Sequence, residues 1–192
     1  MTITLPRKTK NGSPIERIKD SINIGLQTAE LHKQYKYYRD VRVNKAICNL
    51  IRECNGALGT SGNFKNGCLY IEANLSTHWT KGQGPNVQLD HAVPVTVLAK
   101  MYLDREETIE KLIFSPIARI SVESNKKLSK SGLAKKGHKA DRPLYRYHLA
   151  EIKIKNHFGE EIDTEKWTNK DHWDLVLRTE ELKPILEALK LR

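Results

Sequence analysis

The chain has 192 residues, 39% of them hydrophobic, with 33 Lys and Arg against 23 Asp and Glu and a formal net charge of +10. That length supports one core, or one core with a small appended module, and no apolar stretch approaches the roughly 20 residues that span a bilayer. No membrane partner is expected, and the charges within residues 1–8 leave no room for the apolar stretch of a signal peptide, so an intracellular, cytoplasmic protein is expected. Cys48, Cys54 and Cys68 are odd in number and form no Cys-x-x-Cys pair, which argues against both a disulfide framework and a structural zinc.

Residues 2–12 are polar and basic and read as loose. Ser13, Pro14 and Glu16 then form a helix start with a cap, a proline at the first helical position and a carboxylate three residues on. Ile15, Ile18, Ile22 and Leu26 follow at helical spacing and predict a core-facing stripe. Residues 35–39 mix tyrosines with bases, which reads as an aromatic helix face closing the core before a nucleic-acid clamp. A second helix is predicted over 41–53, with Cys48 as a small core residue.

Asn55 to Gly67 is rich in Gly, Asn and Ser and predicts a loop, the boundary between a helical N-terminal part and the rest of the chain. Residues 68–73 read as a strand. His78 and Trp79 fall in an ordinary loop, and 81–86 form a turn feeding the strand 87–89, which presents Asp90 and His91. Residues 95–102 and 105–113 look helical, and Ser121 is placed to cap a helix that carries Asn125. Partial alternation over 144–154 suggests a strand, Lys170–Asp174 a turn or strand start, and 179–189 a terminal amphipathic helix capped by Thr179.

The chemistry concentrates at Leu89-Asp90-His91-Ala92-Val93-Pro94 and, downstream, Ser121-Val122-Glu123-Ser124-Asn125-Lys126-Lys127. An imidazole with an ordinary pKa near 6.5 can take a proton from water at neutral pH, and a carboxylate with an amide oxygen suits a hard cation that keeps some of its waters. This pattern resembles the HNH, or ββα-metal, endonuclease family, and within it the HNH domains of CRISPR effector nucleases. The resemblance covers roughly residues 86–135. It implies His91 as the base that activates water and Asp90 and Asn125 as ligands of one Mg²⁺ or Mn²⁺ ion; many members also hold a structural zinc on two Cys-x-x-Cys pairs, which this chain lacks, so bracing by packing is expected instead. Two registers stay open: where the family has a middle Asn that braces the catalytic loop this chain has Ser115, or else Asn125 is that Asn and His138 the last ligand, an option opposed by the intervening Gly132 and Gly137.

Charge points the same way. Residues 119–155 carry eleven Lys and Arg against three Asp and Glu, and 1–45 carry ten against four, while 46–118 and 156–192 are net acidic by one and three. Arg119, Lys126, Lys127, Lys130, Lys135 and Lys136 are therefore the candidate DNA contacts. The expected fold is α+β, with N-terminal helices over 1–66, a ββα-metal core with a helical insertion over 67–140, and a strand and helix extension over 141–192. The expected function is metal-dependent cleavage of DNA, most naturally double-stranded, leaving 5′-phosphate and 3′-hydroxyl ends, as in restriction, phage or homing enzymes. A palindromic cutter of this kind would work as a homodimer. The rival readings are a non-catalytic basic nucleic-acid-binding protein and a nuclease toxin.

Overall fold

A computed structural model describes residues 3–10, 12–34, 39–60, 66–76, 86–134 and 136–191, the side chains of residues 39 and 40 excepted. The chain is mixed α+β, built on a five-stranded sheet. Helix α1 (Pro14–Lys33) begins as the sequence predicts: Glu16 N donates to Ser13 Oγ at 3.3 Å and Ser13 N donates to Glu16 Oε2 at 2.6 Å. Its Ile18 and Ile22 are buried against α2 (Arg39–Ala57). Gly25 permits that close packing, because a Cβ there would lie 2.5 Å from the Leu50 side chain.

Strands β1 (Tyr70–Glu72), β2 (Val87–His91), β3 (Ile117–Ser121), β4 (Ile154–Asn156) and β5 (Glu161–Ile162) lie in the order β2-β3-β1-β4-β5. Only the β1–β3 pair is parallel. β2 is thus an edge strand, antiparallel to β3, and the two are joined through α3 (Val95–Leu103) and α4 (Ile109–Leu112). Helix α5 (Val122–Lys130) leaves β3 without a gap, with Ser121 Oγ accepting from Ser124 N at 3.0 Å. Beyond it come α6 (Tyr145–Leu149), α7 (Asn169–Arg178), a 3-10 turn (Glu180–Leu182) and α8 (Lys183–Ala188).

Several expectations are corrected. Residues 3–10 are not loose where they meet the core: Ile3 and Pro6 are buried and Thr4 N donates to Asn66 O at 3.0 Å. Asn55 belongs to α2, not to a loop. The helix expected over 105–113 shrinks to α4, since Arg105 takes a left-handed φ of 62° that ends α3 and delays the next start. β3 was not expected at all; it is buried on both faces from Ile117 to Ile120 and so shows no alternation. The strand expected over 144–154 is instead α6 over 145–149 followed by a turn, and its last residue enters β4. Lys170–Asp174 lies inside α7, and Thr179 turns its hydroxyl back to Leu175 O at 2.7 Å instead of capping the terminal helix.

One hydrophobic cluster runs from Ile3 to Leu186, crossing the boundaries drawn at residues 66 and 140. β1 sits between β3 and β4, so the sheet itself joins the segments on either side of the boundary at 140. Among the described residues no helix is long and apolar enough to cross a membrane. The tyrosine-rich residues 35–38, His78, Trp79 and the turn residues 81–85 lie outside the described residues.

Candidate active site

Side chains alternate along a strand, so Gln88 and Asp90 leave one face of β2 while Leu89 and His91 leave the other. The dipeptide at the heart of the motif therefore serves two environments. On the first face, Asp90 Oδ2 accepts from Tyr147 Oη at 2.7 Å and forms an ion pair with Arg146. Arg146 is 1% exposed and also donates to Ala134 O at 3.0 Å. Burial opposes its charge, but the oxygens of Tyr147 and Asp90 outweigh that and hold its pKa above the usual guanidinium range. The Tyr147 hydroxyl is pushed up by burial and by the Asp90 carboxylate, so it stays a donor.

On the second face, His91 Nε2 lies 2.9 Å from Asn55 Oδ1. Asn55 is 2% exposed, and its Nδ2 donates to Ile113 O at 2.9 Å. Burial pulls the His91 pKa down to about 4, with Arg52 and Arg146 acting in the same direction and Asp90 opposing them. The ring is neutral at pH 7.

Asn125 projects from α5 and donates through Nδ2 to Gln88 Oε1, which places it along the face of β2 that also carries Asp90. Three residues of the motif are thus gathered around one edge strand, Asp90 and Asn125 on one side and His91 on the other. A carboxylate and an amide oxygen are the hard donors that Mg²⁺ takes, so the donor set fits such an ion in kind. The positive charge beside Asp90 Oδ2 is nevertheless already supplied by Arg146. Among the described residues no group of three or more His, Cys, Asp and Glu side chains could hold a metal ion.

The ring partner of His91 comes from α2, and Ser115 N donates to Leu112 O at 3.0 Å. His138 lies beyond the left-handed Gly132 and Gly137, off α5, where burial and the nearby Arg146 lower its pKa. It lines a cavity of about 490 Å³ with Val93, Pro116 and Trp173.

The basic segment divides in space. Arg119 is corrected from a DNA contact to a core residue: it is 2% exposed in β3 and donates to Ser76 O. Lys126, Lys127, Lys130 and Lys136 are exposed, and Lys135 lies outside the described residues. The first three line a groove of about 930 Å³ together with Lys153, but folding brings Glu72, Glu123 and Glu151 to the same groove. Lys127 pairs with Glu151 at 3.4 Å. The groove is consequently far less basic than the linear run from 119 to 155.

Sequence reasoning missed Arg146 and Tyr147 as partners of Asp90 because it read them as alternating strand residues, and missed Asn55 because Asn-Gly reads as a turn. Arg146 carried a weak signal, a guanidinium flanked by two tyrosines. Asn55 carried none. No family model matches the chain, and no curated protein or solved structure is detectably similar to it.

Proposed function

We propose that the protein is a DNA endonuclease in which His91 is the general base. The observation that carries this reading is a neutral imidazole at the end of an edge strand, held by a buried amide and next in sequence to a carboxylate, with Asn125 bonded to Gln88 on that carboxylate's face of the strand. The unprotonated ring nitrogen of His91 takes one proton from water. The resulting hydroxide attacks phosphorus in line, the bond to the 3′ oxygen breaks, and that oxygen leaves with a proton from solvent, giving 5′-phosphate and 3′-hydroxyl ends. Asp90 and Asn125 would hold one Mg²⁺ or Mn²⁺ ion, whose chemistry is to stabilise negative charge on the phosphoryl and departing oxygens. Lys126, Lys127, Lys130 and Lys136 supply exposed charge for phosphate contacts, and a cut on both strands requires two copies of the chain.

The test is conversion of supercoiled plasmid by the full chain with Mg²⁺ or Mn²⁺. His91→Ala should abolish nicking and linearisation while a gel shift in EDTA is retained. Equal cutting by the variant removes His91 from the chemistry, and no cutting by the wild-type chain removes the endonuclease reading. The buried Arg146 on Asp90 favours one alternative, a non-catalytic nucleic-acid-binding protein in which Asp90 is a structural anion. That alternative keeps the gel shift and never cuts.

A further inference from the structure

We propose that Asn55, buried on α2, is a positioning residue that fixes His91 as the tautomer protonated on Nε2, leaving Nδ1 as the atom that receives the proton from water. The inference rests on the nuclease reading for its purpose, but its geometry stands by itself. Ile113 O can only accept, so the Asn55 atom 2.9 Å from it is the amide nitrogen. The other end of the same planar group is then Oδ1, which can only accept as well. It lies 2.9 Å from His91 Nε2, so that ring nitrogen carries the hydrogen. A neutral imidazole has one N–H, and Nδ1 is left with its lone pair. Nδ1 has no hydrogen-bond partner among the described residues, and His91 as a whole is half-buried.

Asn55 is itself held at both ends. Its carbonyl accepts from Thr60 N and from Thr60 Oγ1, each at 2.9 Å, which ties the C-terminal turn of α2. Through its side chain it then links α2 to the end of α4 and to the end of β2. A flipped amide would set two acceptors, Asn55 Oδ1 and Ile113 O, against each other, so Ile113 leaves one orientation. The charged groups that act on the ring are Arg52 on α2, Arg146 on α6 and Asp90 on β2. The first two disfavour the imidazolium and the third favours it, so Asn55 acts on a ring whose charge state is set by other residues.

The experiment is nitrogen NMR of the full chain with ¹⁵N-labelled histidine at pH 7. His91, assigned by its loss in His91→Ala, should show a protonated-type shift at Nε2 and an unprotonated-type shift at Nδ1. A proton on Nδ1, or a cationic ring, overturns the inference without any variant being needed. A second measurement separates positioning from mere packing: in Asn55→Leu, which offers no acceptor, the two His91 nitrogen shifts should move towards those of mixed tautomers. Unchanged shifts in that variant, with the melting temperature retained, count against the assignment. If the tautomer is as stated and the wild-type chain cuts no DNA, the endonuclease reading fails and the role of Asn55 in orienting His91 stands.

Discussion

Asp90 and Arg146 give the sharpest energetic test, because the structure makes their contact both a fold contact and a competitor of the proposed chemistry. The guanidinium side chain is 1% exposed and the carboxylate side chain 16%, so neither charge is well solvated. Two unit charges about 4 Å apart attract by about 4 kcal/mol at an effective dielectric of about 20. Removing one partner also strands the other, and for buried pairs the total loss is about 3–5 kcal/mol. Asp90→Ala should fall at the upper end, since Arg146 would keep the Ala134 and Leu133 carbonyls and Tyr147 would keep just the longer contact, 3.4 Å, to the backbone carbonyl of residue 90. Asp90→Asn retains an acceptor and should fall near 3 kcal/mol. The double replacement Asp90→Leu with Arg146→Met should cost less than the sum of the two single changes by at least about 2 kcal/mol. Urea unfolding with an unchanged m-value reads these differences. Additive single losses below about 1 kcal/mol each, the range of exposed pairs, would refute the reasoning and release Asp90 from Arg146.

Three further outcomes concern a histidine, a glycine and two lysines. His172 is 3% exposed, its Nε2 is 2.8 Å from Phe114 O and its Nδ1 is 2.7 Å from Tyr70 Oη, and burial lowers its pKa to about 4. A folded pKa below the unfolded one means the contribution is complete above about pH 6.5 and is lost as pH falls towards 4; the stability slope there should reach about 1.4 kcal/mol per pH unit per such histidine, less in His172→Phe. Gly25→Ala should destabilise by about 1–3 kcal/mol in thermal or urea melts, because its Cβ would meet Leu50 at 2.5 Å. Lys126→Gln and Lys130→Gln should each lower the slope of log binding constant against log salt by about 0.9 for duplex DNA in EDTA, and a variant with an unchanged slope does not touch phosphate.

What the sequence discloses and what it hides divide by range. Ser13 with Glu16, Ser121 with Ser124 and the stripe of Ile18 and Ile22 are settled by residues within one or two turns, and the fold places them as expected. β3 hides because a strand covered on both faces loses the polar half of its pattern, and Arg119 in that strand even reads as a surface base. Residues 145–149 hide for the opposite reason. Their alternation of aromatic and basic side chains is compatible with a strand, and the helix that delivers Arg146 and Tyr147 together to Asp90 rests on a contact 56 and 57 residues away in sequence. Asn55 and His91 are 36 residues apart, and no local rule joins them. The groove beside α5 divides charge in the same way: the run from 119 to 155 is basic along the chain, yet its Glu123 and Glu151 gather in the groove and Glu72 joins them from β1.

Arg146 also sets what a cation must overcome. An ion of charge +2 held by Asp90 would have to share the carboxylate with the Arg146 guanidinium, which repels it. A carboxylate and an amide oxygen alone cannot offset that, since Mg²⁺ sites of this sparse kind draw much of their affinity from substrate phosphates. Binding of Mg²⁺ to the DNA-free chain should therefore be on the order of millimolar or weaker by calorimetry. Phosphate oxygens of a bound duplex would add negative charge on the side away from Arg146 and tighten the ion, so affinity measured with an uncleaved duplex and the His91→Ala chain should rise at least about tenfold. Micromolar Mg²⁺ binding without DNA would mean that Arg146 does not hold Asp90 in solution. Equal, weak binding with and without DNA would leave Asp90 as the anion of a structural pair and take the ion out of the proposed reaction.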